Sequence, residues 1–204
     1  MARLSRFVAV AVLLGGATVS LSSCTGGSDP IASSSPAVST VVTPSPSVAA
    51  SPTPLTDEEL LALIPENARA ENFVSASNFA KFFVNEYDTM FQKPDDEMFR
   101  YMSGVDCAFC ASSLGTYADL VSAGGHRTGG VITTSPDLPQ GGLNQDGYWY
   151  VGLGFDVTAS SDLDASGADV DAGPGGTATA YVKLQRLDDR WVVQGVSIEF
   201  HNVE

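Results

Sequence analysis

Between Ser75 and Phe91, large apolar side chains recur at Phe79, Phe82, Phe83, Tyr87, Met90 and Phe91, a spacing that sets them on one stripe of a long helix. Ser75 or Ser77 is placed to cap its start. Upstream, Thr56 followed by Asp57, Glu58 and Glu59 reads as a helix start with acids in its first turn, running through Leu60, Leu61 and Leu63 until Pro65 stops it. Downstream, Pro94 with Asp95, Asp96 and Glu97 opens a helix that carries Met98, Phe99, Tyr101 and Met102. A further helix carries Leu114, Tyr117, Leu120 and Val121 and ends at Gly124 and Gly125.

The period then changes from helical to alternating. Trp149, Val151, Leu153, Phe155 and Val157 are apolar at every odd position, while the even positions hold Tyr150, Gly152, Gly154 and Asp156, which marks a strand with one buried face. Ala178, Ala180, Val182 and Leu184 repeat the alternation. Leu187-Asp188-Asp189 reads as a tight turn into a strand over 191–200, making a C-terminal hairpin, and residues 129–134 supply one more strand. Helices first and strands afterwards predict an α+β domain, N-terminal helices packed on a curved antiparallel sheet, over residues 56–204.

The first 55 residues follow neither pattern. Arg3 and Arg6 precede an apolar run over residues 7–14, and small residues follow up to Ser23, which is the build of an export signal. The run is too short for a permanent membrane span, which needs about 20 residues. Leu21-Ser22-Ser23-Cys24 has the form of a lipobox, so residues 1–23 are expected to be a lipoprotein signal peptide and Cys24 the acylated first residue of the mature chain. Two or three acyl chains anchor stably where one does not. The expected partner of Cys24 is therefore the lipid bilayer, at the outer face of the cytoplasmic membrane. Residues 24–55, rich in Ser, Thr and Pro and devoid of aromatics, cannot bury enough apolar surface to order themselves and read as a disordered tether, open to glycosylation.

The formal net charge is −14, from 10 basic and 24 acidic residues. Loss of Arg3 and Arg6 with the leader leaves 8 basic residues against the same 24 acidic ones, a net −16. Such a surface repels nucleic acid.

Several helices followed by a long-stranded sheet whose last strand contains Arg190-Trp191-Val192-Val193 resemble the cone-shaped fold of the nuclear-transport-factor-two-like superfamily. The lipobox and tether, the Asn78-Phe79 to Tyr87 helix, Cys107-Ala-Phe-Cys110, the paired glycines at 124–125 and 129–130 and the Trp191 strand are together similar to an actinobacterial lipoprotein family known only as a domain of unknown function. The resemblance implies fold and location and brings no activity with it. In the superfamily a pocket often lies between the sheet and the long helix, and some members are isomerases, cyclases or dehydratases that use a pocket Asp, His or Tyr. The resemblance thus makes Tyr148, Tyr150, Asp156 and His126 the candidates to reach such a pocket, with Gly152 and Gly154 leaving room beside them.

Two motifs carry chemistry of their own. Cys107 and Cys110 could form a structural disulfide, a redox pair or half a zinc site; outside the membrane, with Cys24 acylated, they are each other's only partners, which favours the bridge. Zinc would need two more ligands, and His126 and His201 are the only histidines. Asp162-Leu-Asp164-Ala-Ser166-Gly167 copies the opening of a calcium loop but has Gly173 where the closing Glu belongs, so it reads as a solvated acidic hairpin loop and no metal is expected. The sequence calls for no cofactor. It predicts a lipid-anchored module that binds a small ligand or an envelope protein, with a cone-pocket enzyme and an envelope thiol-disulfide protein as the other readings.

Overall fold

Residues 53–203 are described by the computed structural model; the leader, Cys24 and the tether up to residue 52 lie outside them. Among the described residues no helix is long and apolar enough to cross a membrane.

Helix α1 (Asp57–Leu63) starts as its sequence demands: the Thr56 hydroxyl accepts from the Glu59 amide while the Glu59 carboxylate accepts from Thr56 N at 2.8 Å, a reciprocal capping box. Its C-terminal carbonyls are taken by Arg69, whose guanidinium donates to Ile64 O and Ala62 O. A 3-10 turn (Glu66–Ala68) then leads to α2 (Phe73–Gln92), 20 residues long. Its cap is Asn72 rather than either serine: Asn72 Oδ1 accepts from Ser75 N at 2.9 Å, and Ser75 and Ser77 lie buried inside the first turns. Ser77 Oγ instead donates back to Phe73 O at 2.7 Å. Helices α3 (Glu97–Met102) and α4 (Ala108–Ser122) follow, and α4 ends where Gly124, at φ +69°, turns the chain left-handed.

The strands form two sheets. In the larger, β4 (Trp149–Val157) pairs antiparallel with β7 (Gly176–Leu187), which pairs with β8 (Arg190–Val203). The other edge of β4 is shared end to end by β2 (Ile132–Thr134) and β3 (Gln140–Leu143). The smaller sheet has the order β1 (His126–Gly129), β5 (Ser160–Leu163), β6 (Asp169–Gly173). The single strand expected over 129–134 is thus two strands in different sheets. Gly129 (φ +69°) and Gly130 (φ +73°) make the crossing, and at Gly129 a Cβ would sit 2.0 Å from Ala159 O, so only glycine fits there. Asp188 (φ 48°) and Asp189 (φ 64°) form the two-residue turn of the C-terminal hairpin, both left-handed as a type I′ turn requires.

Alternation decides which face of the large sheet is covered. Val151, Leu153 and Phe155 on β4 lie opposite Val182, Ala180 and Ala178 on β7, all buried, and the Phe79 and Phe83 rings of α2 belong to the same core. Trp191 closes one end, edge-on to Trp149 at 5.9 Å and tilted against Phe79 at 6.5 Å. Register shifts at Thr177/Ala178 and Lys183/Leu184 mark bulges that bend the β7–β8 ribbon. The outcome is the α+β architecture expected: helices on one face of a curved antiparallel sheet.

Candidate functional site

Beyond Leu184, the inner face of the sheet is only partly filled. Val193, Val196, Ile198 and Phe200 on β8 align with Leu184, Val182, Ala180 and Ala178 on β7, yet exposure rises along that row from buried Val193 to 37% at Ile198 and 45% at Phe200. The space they face is a cavity of about 230 Å³ between α2, the large sheet and the small sheet. Phe83, Val84, Phe155 and Ala180 make its floor; Ile198, Phe200 and Pro174 stand at its mouth.

The third wall is polar and comes from the small sheet. Arg127 on β1 and Asp162 on β5 lie directly opposite each other across the antiparallel pair, and their side chains meet in a two-point ion pair: Nε to Oδ1 at 2.6 Å and Nη2 to Oδ2 at 2.8 Å. Both are well covered, at 14% and 7% side-chain exposure. The Arg127 guanidinium also lies over the Phe91 ring, 3.6 Å from its centre. Burial opposes its charge, but Asp162 and then Tyr87 outweigh that and hold its pKa above the ordinary value.

The small sheet is stitched to the rest at its chain crossings. Gln92 Nε2, at the end of α2, donates to Gly129 O at 2.6 Å, Ile132 N donates to Asp88 Oδ2 at 3.3 Å, and Gly130 N donates to Ala159 O at 3.1 Å. These bonds fix where β1 leaves α2 and so where Arg127 enters the cavity.

None of the four pocket candidates read from the sequence lines this cavity. Tyr150 and Asp156 occupy even positions of β4 and therefore face away from α2; Tyr150 is 41% exposed and Asp156 accepts from Thr177 Oγ1 at 2.9 Å. Tyr148, just ahead of the strand, has its ring under Lys183 Nζ at 3.7 Å. His126 is exposed on β1 and borders a separate recess of about 120 Å³ with Phe91, Tyr117 and Leu120. Nor do Gly152 and Gly154 open space for a ligand, since a Cβ on either would meet the Tyr181 ring or the Ser135 side chain. Of the residues that do line the cavity, Phe83, Tyr87, Phe155, Val157 and Ala180 stood on the apolar stripes read from the sequence, whereas Arg127 fell in a stretch given no element and Asp162 in one read as loop.

Asp162 also revises the acidic hairpin loop. It sits in a strand, buried, with both oxygens held by Arg127, and Asp164 Oδ1 accepts from Ser166 N, Ser166 Oγ and Ala168 N. Three of the four oxygens on the two leading carboxylates of the calcium-like motif thus accept hydrogen bonds within the protein.

Cys107 and Cys110 form a disulfide with Cα atoms 5.2 Å apart. Cys107 is the N-cap of α4, its Sγ accepting from Cys110 N at 3.2 Å, and both cysteines are about 1% exposed. The bridge therefore fixes a helix start beneath other side chains; neither cysteine lines the cavity, though Phe109 between them does.

Neither a family model nor a curated protein matches the sequence. Solved structures similar to the chain include the intermembrane space region of the chloroplast protein ARC6, at 13% identity and a TM-score of 0.45 over 61% of this chain and 97% of that one. ActVI-ORFA from Streptomyces coelicolor is similar at 11% identity and a TM-score of 0.38, over 59% of this chain and 93% of that one. An NTF-2 like protein of unknown function from Shewanella oneidensis MR-1 is similar at 10% identity and a TM-score of 0.36, over 60% of this chain and 98% of that one.

Proposed function

We propose that this chain is a small-molecule-binding lipoprotein of the cell envelope. In this reading acylated Cys24 anchors it at the outer face of the cytoplasmic membrane, and residues 24–55 let the domain stand off the surface. The observation that carries the binding half is the cavity of about 230 Å³, apolar on two sides with one buried ion pair on the third, the usual composition of a ligand site. The anchoring half rests on the lipobox, the leader before it and the composition of the tether. The likeness to an actinobacterial lipoprotein family rests on those features with the cysteine, glycine and tryptophan motifs.

Binding fits the chemistry of the cavity better than catalysis. An isomerase, cyclase or dehydratase needs a positioned base to take a proton, whereas the buried carboxylate here is paired through both oxygens with Arg127 and the other one in the lining, Asp171, is exposed to solvent. Thiol exchange needs a sulfur that a partner can reach, and both cysteines are covered.

Thermal shift of the full chain against a library of small apolar compounds tests the binding half. Hits should raise the melting temperature of the wild type and not of Ala180→Phe, which fills the floor; hits that stabilise both equally overturn the reading. Growth with an alkyne-tagged fatty acid tests the anchor: the wild type should carry label and sediment with membranes, and Cys24→Ser should lose both. An unlabelled wild type overturns it.

A further inference from the structure

The polar side chains of the cavity lining are Arg127, Tyr87 and Ser160, with the Asp162 and Asp171 carboxylates beside them. Arg127 gives one N–H each from Nε and Nη2 to Asp162, which leaves the two on Nη1 and the second on Nη2, and the Tyr87 hydroxyl lies beside the guanidinium in the same lining. Asp162, by contrast, accepts on both oxygens already. A ligand acceptor placed against this wall is therefore met by N–H and O–H groups that the ion pair leaves over.

Charge narrows the acceptor. The cation in the wall is neutralised by its own partner, and Asp171 at the rim adds a negative charge, on a chain whose net charge is −14. A ligand carboxylate or phosphate would set a second anion beside Asp162 in a poorly solvated site. A neutral carbonyl gains the same hydrogen bonds without that repulsion.

Size narrows the remainder. A dry cavity of about 150 Å³ holds benzene, so 230 Å³ takes one to two fused rings. The floor residues Phe83, Val84, Phe155 and Ala180 present only carbon to it.

We infer that the ligand is an uncharged molecule of one or two rings bearing a carbonyl-type acceptor, read by Arg127 Nη1 and the Tyr87 hydroxyl. This rests on the binding reading above and adds selectivity, for neutral over anionic and for acceptor over hydrocarbon.

Three near-isosteric probes separate the two claims when titrated calorimetrically into the full chain: 2-acetylnaphthalene, 2-naphthoate and 2-ethylnaphthalene. The acetyl compound should bind at least tenfold more tightly than either of the others, since a hydrogen bond to a charged group is worth about that in affinity. Tyr87→Phe should narrow its lead over the ethyl compound severalfold, and Ala180→Phe should abolish binding of all three. Because Arg127→Met unpairs Asp162, Tyr87→Phe is the variant to read, with circular dichroism to show that it folds. Naphthoate binding most tightly, or the ethyl compound matching the acetyl one, overturns the selectivity while leaving the binding reading intact. If none of the three binds, both fall.

Discussion

Arg127 and Asp162 grip each other at 2.6 and 2.8 Å across adjacent strands of the small sheet, and the guanidinium is pressed onto Phe91 of the long helix. The pair joins the small sheet to α2 at the wall of the cavity. Removing one member leaves the other charge covered and unpaired, which costs far more than the pair contributes net. Asp162→Ala should therefore destabilise by about 3–5 kcal/mol, while the double replacement Arg127→Met with Asp162→Leu should stay within about 2 kcal/mol of the wild type. Urea denaturation of the set decides it; a single variant no worse than the double one would show that the pair is solvated.

Asn72 caps the long helix in place of the serines that follow it. Asn72→Ala should lower stability by about 1 kcal/mol. Ser77→Ala removes only a hydroxyl that folds back onto Phe73 O and should change stability by less than half as much. Thermal melts that reverse this order would put the cap back at the serine.

Glu86 on α2 is the carboxyl whose surroundings oppose its charge: burial, and then the Asp95 carboxylate, push its pKa up, with Lys93 pulling the other way. Below the unfolded-state value both states hold the proton and nothing is lost. As pH rises through the window between the unfolded and the higher folded value, the native state must release a proton it holds more tightly, so stability falls. Glu86→Gln should melt higher than the wild type at about pH 7, with the two converging near about pH 3. A gap that widened on acidification would contradict the assignment.

The Cys107–Cys110 bridge closes so short a loop that the chain-entropy model gives it about 2 kcal/mol. With both cysteines covered, thiol reagents should find nothing in the native domain even after mild reductant, and two reactive thiols once denaturant is added. Ready reduction under native conditions would favour the redox reading instead.

Much of the fold was legible because its elements are strongly periodic. The aromatic stripe of α2, the odd positions of β4 and the even positions of β7 all bury the faces their spacing announces. The site was not, for a related reason. Tyr150 and Asp156 were drawn into the pocket by the resemblance and their side-chain chemistry, although their even positions already placed them opposite Val151 and Phe155, on the face turned from the helix. The small sheet escaped because its short strands, with Arg127, Asp162 and Asp171, look like loop: a strand held by an ion pair across the sheet leaves no apolar alternation to read.

That lack of apolar content has a consequence for how the protein can vary. Among the described residues, no buried apolar core side chain lies on β1, β5 or β6. Two walls of the cup are thus part of the core that keeps the domain folded, while the third hangs on it chiefly through the Arg127–Asp162 pair and can be resculpted around that pair. Specificity can drift across related sequences by rewriting the polar positions of these strands other than the ion pair, with the core that presents them left in place.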